Sequence, residues 1–195
     1  MYRFFLAALD LLPAMLLLVP SYWILNRAYF HNTRKSSLYY VFSCYLAVVY
    51  VLVGLPNVTY IRPEVNLNLI PIIGMIEDWK NSILNILLFV PLGMMLPLLW
   101  HTYQKIRKTL LFGFAASLTI ELLQLLTFRA TDVNDLITNT LGTALGFIYI
   151  KSFYQNKQKF ETYASKDAII VIGAILVVMF FLYPFVSSAL WDFVL

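Results

Sequence analysis

The chain has 195 residues, 61% of them hydrophobic and 12% charged, with a formal net charge of +4 and a mean hydropathy of +0.78. That composition excludes a water-soluble globule, and so little charge argues against a nucleic-acid-binding module. The single cysteine, Cys44, excludes an intramolecular disulfide, and the two histidines, His31 and His101, lie too far apart in sequence to suggest a metal site.

The apolar residues form six blocks, at about 4–26, 37–56, 82–100, 108–127, 133–153 and 168–190. Each is long enough to cross a hydrocarbon core of about 30 Å as a helix. Backbone groups must be satisfied within lipid, and the alternation of a barrel is absent. The expected fold class is therefore all-α: a polytopic transmembrane helical bundle of about six spans, with 1–195 as a single membrane domain.

The first block carries Asp10 and no small-x-small cleavage pattern, so it reads as a retained helix rather than a cleaved signal peptide. The longest non-spanning segment, 57–80, contains Asn66, Asn68, Pro63 and Pro71. Its second half mixes Ile, Met and Trp79 with Glu77, Asp78 and Lys80, which suits a short element at the membrane interface. The third block starts near Asn81 and Asn85 and contains Pro91, Gly93 and Pro97. Proline there removes a backbone donor and shapes the helix; a hinge at Pro91 and Gly93 is the alternative. Short connections at 101–107 and 128–132 make the third, fourth and fifth helices antiparallel neighbours in succession.

Basic residues alternate between connections. Arg27, Arg34, Lys35, Lys105, Arg107, Lys108, Lys151, Lys157, Lys159 and Lys166 fall on one side, against Arg3, Arg62, Lys80 and Arg129 on the other. By the positive-inside rule both termini lie outside the cytoplasm, N-out and C-out. The loop 57–80, the turn 128–132 and the helix ends flanking them then share the outer face.

That face is where the polar residues gather: Asn85 on the third block, Glu121 and Gln124 on the fourth, Arg129 in the turn, and Asp132, Asp135 and Asn139 entering the fifth. Ionisable groups at membrane depth are costly and usually face a bundle interior or a cavity. Asp135, Asn139, Gly142 and Gly146 share one helical face by steps of four, three and four, and Gly142 and Gly146 form a small-xxx-small pattern that permits close helix approach. Asp132 also reads as the cap of the fifth helix, with Asp135 favoured by the helix dipole. Asn85, Gln124 and Asn139 also read as interhelical hydrogen-bond glue, and Arg129 as an interface anchor. Glu121 is hardest to explain structurally, because a buried carboxylate needs a partner or a proton. Such a set suits a zwitterionic or phosphate-bearing headgroup, with Arg129 on the phosphate. No metal or cofactor is implied. No nucleophile beside a histidine, P-loop or zinc spacing is present, so no catalytic residue is assigned and an enzyme stays open.

At these residues the chain resembles the VanZ-like family of bacterial membrane proteins. The resemblance rests on Asn66-Leu-Asn68-Leu-Ile-Pro71, Asn85-Ile-Leu-Leu-Phe-Val-Pro91-Leu-Gly93, Glu121-Leu-Leu-Gln124, Arg129, Asp132-Val-Asn-Asp135-Leu-Ile-Thr-Asn139 and Gly142-Thr-Ala-Leu-Gly146, across about 66–150. Ala130 stands where many relatives are expected to carry glycine. The family name implies lowered susceptibility to teicoplanin-type glycopeptides, which bind cell-wall precursors outside the membrane. The resemblance thus implies a multi-pass protein of the bacterial cytoplasmic membrane that binds a membrane lipid or lipid-linked cell-wall precursor at its outer face, and no nucleic acid. Alternatives are a proton-coupled lipid flippase or small transporter, a membrane enzyme modifying lipid-linked precursors, and a scaffold.

Overall fold

A computed structural model of the protein describes residues 2–63, 67–68, 78–127, 131–154 and 162–194. Helices stand where the six apolar blocks were expected. They are α1 (Tyr2–Leu25), α2 (Thr33–Val53), α3 (Trp79–Leu99), α4 (Ile106–Gln124), α5 (Val133–Tyr154) and the rod α6 (Lys166–Val177) to α7 (Tyr183–Val194), joined by π-helical Val178–Leu182. Among the described residues, four stretches are long and apolar enough to cross a membrane: Leu11–Phe30, Thr33–Val53, Trp79–Leu99 and Lys166–Phe193. The other two, α4 and α5, carry Glu121, Gln124, Asp135 and Asn139. The interfacial element expected over 72–80 falls largely outside the described residues, as does the side chain of Asp10.

The chain packs as two compact units, 1–61 with 166–195, and 62–165. In the first, α1 ends in a π-helical turn, Asn26–Phe30, and His31 takes a left-handed φ of 49° that reverses the chain. Asn26 and Asn32 brace this reversal: the Asn32 N–H donates to Asn26 Oδ1 at 3.0 Å, and Asn32 Oδ1 caps α2 by accepting from the Lys35 N–H at 3.0 Å. Gly54 ends α2 with φ 64°, a conformation that glycine adopts without steric cost. Lys35 Nζ lies 2.7 Å from Asp167 Oδ2 at the start of α6, and the Tyr39 hydroxyl donates to the same oxygen at 2.9 Å. The rings of Phe30 and Tyr39 flank the ammonium. This closed, mostly buried cluster ties α2 to α6.

In the second unit α5 is the central helix, packed against both α3 and α4. Glycines set the spacing. A Cβ on Gly142 would lie 2.3 Å from the Ile86 carbonyl oxygen, one on Gly146 2.0 Å from that of Val90, and one on Gly93 2.0 Å from that of Thr143. Backbone therefore meets backbone along the whole α3–α5 contact, and Gly93 docks a helix there. On the far side of α5, the Thr143 side chain fills the space over Gly113 of α4, at 2.5 Å from the position a Cβ would take. The chain before α3 returns to the α4–α5 turn. The Arg62 N–H donates to the Leu126 carbonyl at 2.8 Å, and β1 (Leu67–Asn68) pairs in parallel with β2 (Thr131–Asp132) in the register Leu67 to Thr131 and Asn68 to Asp132.

Two stability outcomes follow from these contacts. Gly142→Ala and Gly146→Ala force backbone apart and should each cost about 1–3 kcal/mol in detergent-solubilised thermal unfolding. Gly173→Ala, with nothing within 4 Å of the new methyl, should be neutral or stabilising by about 0.5–1 kcal/mol. Lys35→Met strands a buried carboxylate and should cost about 3–5 kcal/mol, most of it recovered in the Lys35→Met, Asp167→Leu double variant. Equal melting temperatures across either set would refute the corresponding assignment.

Candidate functional site

The polar end of the second unit is built from matching stripes on neighbouring helices. On α4, Gly113, Ser117, Glu121 and Gln124 share a face by steps of four, four and three, and all four are buried. On α5, Asn139, Gly142 and Gly146 of the expected stripe are buried and Asp135 is half-buried. Gly113 and Gly142 sit at the close-packed level of each helix, so the polar residues beyond them meet. Asn139 Nδ2 donates to Ser117 Oγ at 3.0 Å. Farther along, Glu121 Oε2 accepts from the backbone N–H of Asp132 at 2.9 Å.

That second bond places a carboxylate at the N-terminal entrance of α5, where the helix dipole favours negative charge. Asp132 is also the cap: its Oδ1 accepts from the Asn134 N–H at 2.8 Å and from Asn134 Nδ2 at 2.8 Å. Capping and site membership are thus one arrangement, since the residue that caps α5 offers its own N–H to Glu121. Among the described residues, the carboxylates of Asp135 and Asp132 lie near Glu121. Glu121 itself is only 3% exposed.

The threonines of α5 divide this face. Thr138, Thr140 and Thr143 return their hydroxyls to the carbonyls of Asn134, Leu136 and Asn139, four residues back. Thr138 and Thr143 are therefore fully buried while satisfied within their own helix. Asparagine cannot do this as readily. Asn139 is 97% buried (3% exposed), and its Oδ1 has no hydrogen-bond partner among the described residues. Whichever way the amide is turned, one polar atom faces no partner. Asn85 Nδ2 on α3 is likewise buried without a partner among the described residues. It is next to Ile86, whose carbonyl meets Gly142.

The structure thus gathers Glu121, Asp132 and Asp135 at one end of the unit, with Asn139 joined to α4 on the same faces. Gln124 is buried in the last turn of α4, where its carbonyl accepts from the N–H and hydroxyl of Thr127. Asn85 stands at the α3–α5 contact. Arg129 lies outside the described residues. Ser117 and Asn134 are members that the sequence reading did not name; Ser117 stands one turn before Glu121 on the same face, a spacing that identifies it. The pairing of β1 with β2 also brings Asn68 into register with Asp132, joining two motifs far apart in sequence.

The family model for VanZ/LLP1 matches residues 14–154. The chain belongs to the VanZ/LLP1 family. Its match begins within α1, well before the motif-bearing core at about 66–150, and takes in α1 through α5. The chain is similar to Protein VanZ of Enterococcus faecium, at 29% identity over 119 residues, which cover 60% of this chain and 71% of that protein. No solved structure matches it. As a VanZ-like protein with helices able to span a membrane, the chain carries its polar end among elements that all lie inside the family match.

The bond from Asp132 to Glu121 predicts a specific exchange behaviour. Glu121→Ala should speed hydrogen exchange at the Asp132 and Asn134 amides at least about tenfold, in line with about 1–3 kcal/mol for an unmet buried group. Glu121→Gln retains an acceptor and should leave exchange within about threefold of wild type. Identical protection in all three proteins would show that the bond does not hold the α5 entrance.

Proposed function

We propose that this VanZ-family protein is a multi-pass protein of the bacterial cytoplasmic membrane, N-out and C-out, whose polar end faces outward. There it binds the headgroup of a lipid or lipid-linked cell-wall precursor and lowers susceptibility to teicoplanin-type glycopeptides. The observation that carries this reading is the buried polar set between α3, α4 and α5, with one polar atom of the Asn139 carboxamide unmatched among the described residues. A buried amide with unmet hydrogen-bonding capacity is costly unless a ligand or water completes it. Neutral donors and acceptors around carboxylates suit a hydroxyl- and amide-rich headgroup, and Arg129 adds a cation next in sequence for a phosphate. The alternation of basic connections supports the orientation, and the likeness to Protein VanZ of Enterococcus faecium supports the phenotype.

The test is the teicoplanin inhibitory concentration of a susceptible Gram-positive host expressing wild type, Glu121→Gln or Arg129→Ala at matched membrane levels, with vancomycin in parallel. Wild type should raise the teicoplanin value at least about fourfold, and each variant should remove most of that protection. Protection by wild type that survives both substitutions would overturn the assignment of this site. No protection by wild type would overturn the phenotype.

A further inference from the structure

The first unit holds a groove of ≈ 390 Å³ between α1 and α2, in the size range of about 300–1,000 Å³ that small-molecule sites occupy. Val19, Trp23 and Val41 form its apolar walls and are each more than half exposed. Its other end is polar: Asn26, Thr33 and Ser37 line it where the chain reverses between the two helices. Asn26 Oδ1 is engaged by the Asn32 N–H, which leaves its NH2 group as the donor it offers. The π-helical turn that ends α1 adds a residue to the turn and sets Asn26 and Arg27 at this rim.

Arg27 and Arg34 bring positive charge to this end. The Arg27 guanidinium lies 4.3 Å from the centre of the Trp23 ring. Stacking by the face leaves the edges of the guanidinium, with their N–H donors, available to an oxyanion. Arg34 follows Thr33 by one position, and Lys35 follows next. Asp167, the acid against this end, is already engaged by Lys35 and Tyr39. An apolar trough between two helices long and apolar enough to cross a membrane, ending in amide, hydroxyl and guanidinium donors, matches the two parts of one class of molecule.

We propose that the groove between α1 and α2 is a binding site for an anionic phospholipid. The acyl chain lies along Val19, Trp23 and Val41, and the phosphate meets Arg27 with Asn26 and Thr33, in the leaflet bordered by Arg27 and Arg34. All of these residues belong to the first unit, and the proposal does not depend on the function proposed for the second.

The proposal is tested with full-length protein in phosphatidylcholine vesicles containing increasing amounts of brominated phosphatidylglycerol or brominated phosphatidylcholine. Tryptophan quenching is read as the difference between wild type and Trp23→Phe, which isolates Trp23 from the other three tryptophans. Brominated phosphatidylglycerol should quench Trp23 at a mole fraction at least about fivefold below that of brominated phosphatidylcholine, with the advantage falling as salt rises. Arg27→Gln should bring the two lipids to near parity, and Arg27→Lys should retain most of the preference; both variants are compared at unchanged thermal midpoint. Equal quenching by the two lipids in wild type, or a preference untouched by Arg27→Gln, would overturn the proposal. So would Trp23 emission that ignores lipid identity but changes with protein-to-lipid ratio, which would place a second copy of the chain in the groove.

Discussion

The backbone contact between α3 and α5 is the constraint on which the second unit depends. Between helices in lipid the hydrophobic effect supplies no driving force, so association rests on close van der Waals contact and on weak Cα–H to carbonyl interactions. Gly93, Gly142 and Gly146 allow the carbonyls of Thr143, Ile86 and Val90 to approach α-carbons with no side chain between them. That fixes the register of α5 on α3. Once it is fixed, Thr143 presents its outer side to Gly113 and sets the level at which α4 docks. Ser117 and Glu121, one and two turns along the same face of α4, then meet Asn139 and the Asp132 N–H. A slip of one turn on the glycines would break both bonds at once.

The same register separates polar groups that close upon themselves from those that do not. Threonine hydroxyls on α5 bond to their own helix and travel into the packed interior at little cost. Carboxylates and carboxamides require partners from elsewhere, and each buried group left unmet costs about 1–3 kcal/mol. They are confined to the end of the helices where chain ends, a cap and a short parallel ladder supply backbone donors and acceptors. Glu121 illustrates the solution, because the amide it engages belongs to the residue that caps α5.

Much of this was legible in the sequence, and the reason is periodicity. Hydropathy alone located the helices, since each apolar block must bury a whole helix length in lipid. Steps of four, three and four placed Asp135, Asn139, Gly142 and Gly146 on one face, because that spacing is a property of the helix rather than of its neighbours. What the spacing did not reveal was what lies opposite. The i, i+4 step from Ser117 to Glu121 marks Ser117 as sharing that face, but that Asn139 is its partner shows only once α4 is placed. A two-residue ladder has no period at all, so the pairing of Asn68 with Asp132 across more than sixty positions leaves no trace in either segment. The π-helical turns at Asn26–Phe30 and Val178–Leu182 are equally unmarked, since the same residues continue an α-helix without penalty.

The two buried carboxylates described in most detail, Asp167 and Glu121, are handled in different ways, and the difference bears on function. Asp167 receives an ammonium and a phenol hydroxyl on one oxygen, and aromatic rings flank the ammonium. Its charge is matched by a full opposite charge, and the cluster serves to hold α2 against α6. Glu121 is held by a backbone N–H and the N-terminal end of a helix. Those groups orient a carboxylate and lower its energy. Asp132 and Asp135 lie beside it at the α5 entrance. A charge neutralised within the fold explains its own presence by stability alone. Glu121 instead joins α4 to the entrance of α5, within the polar stripe that runs from Ser117 and Asn139 to Asp132, and that placement is the physical reason to look for the protein's chemistry at Glu121 rather than at Asp167.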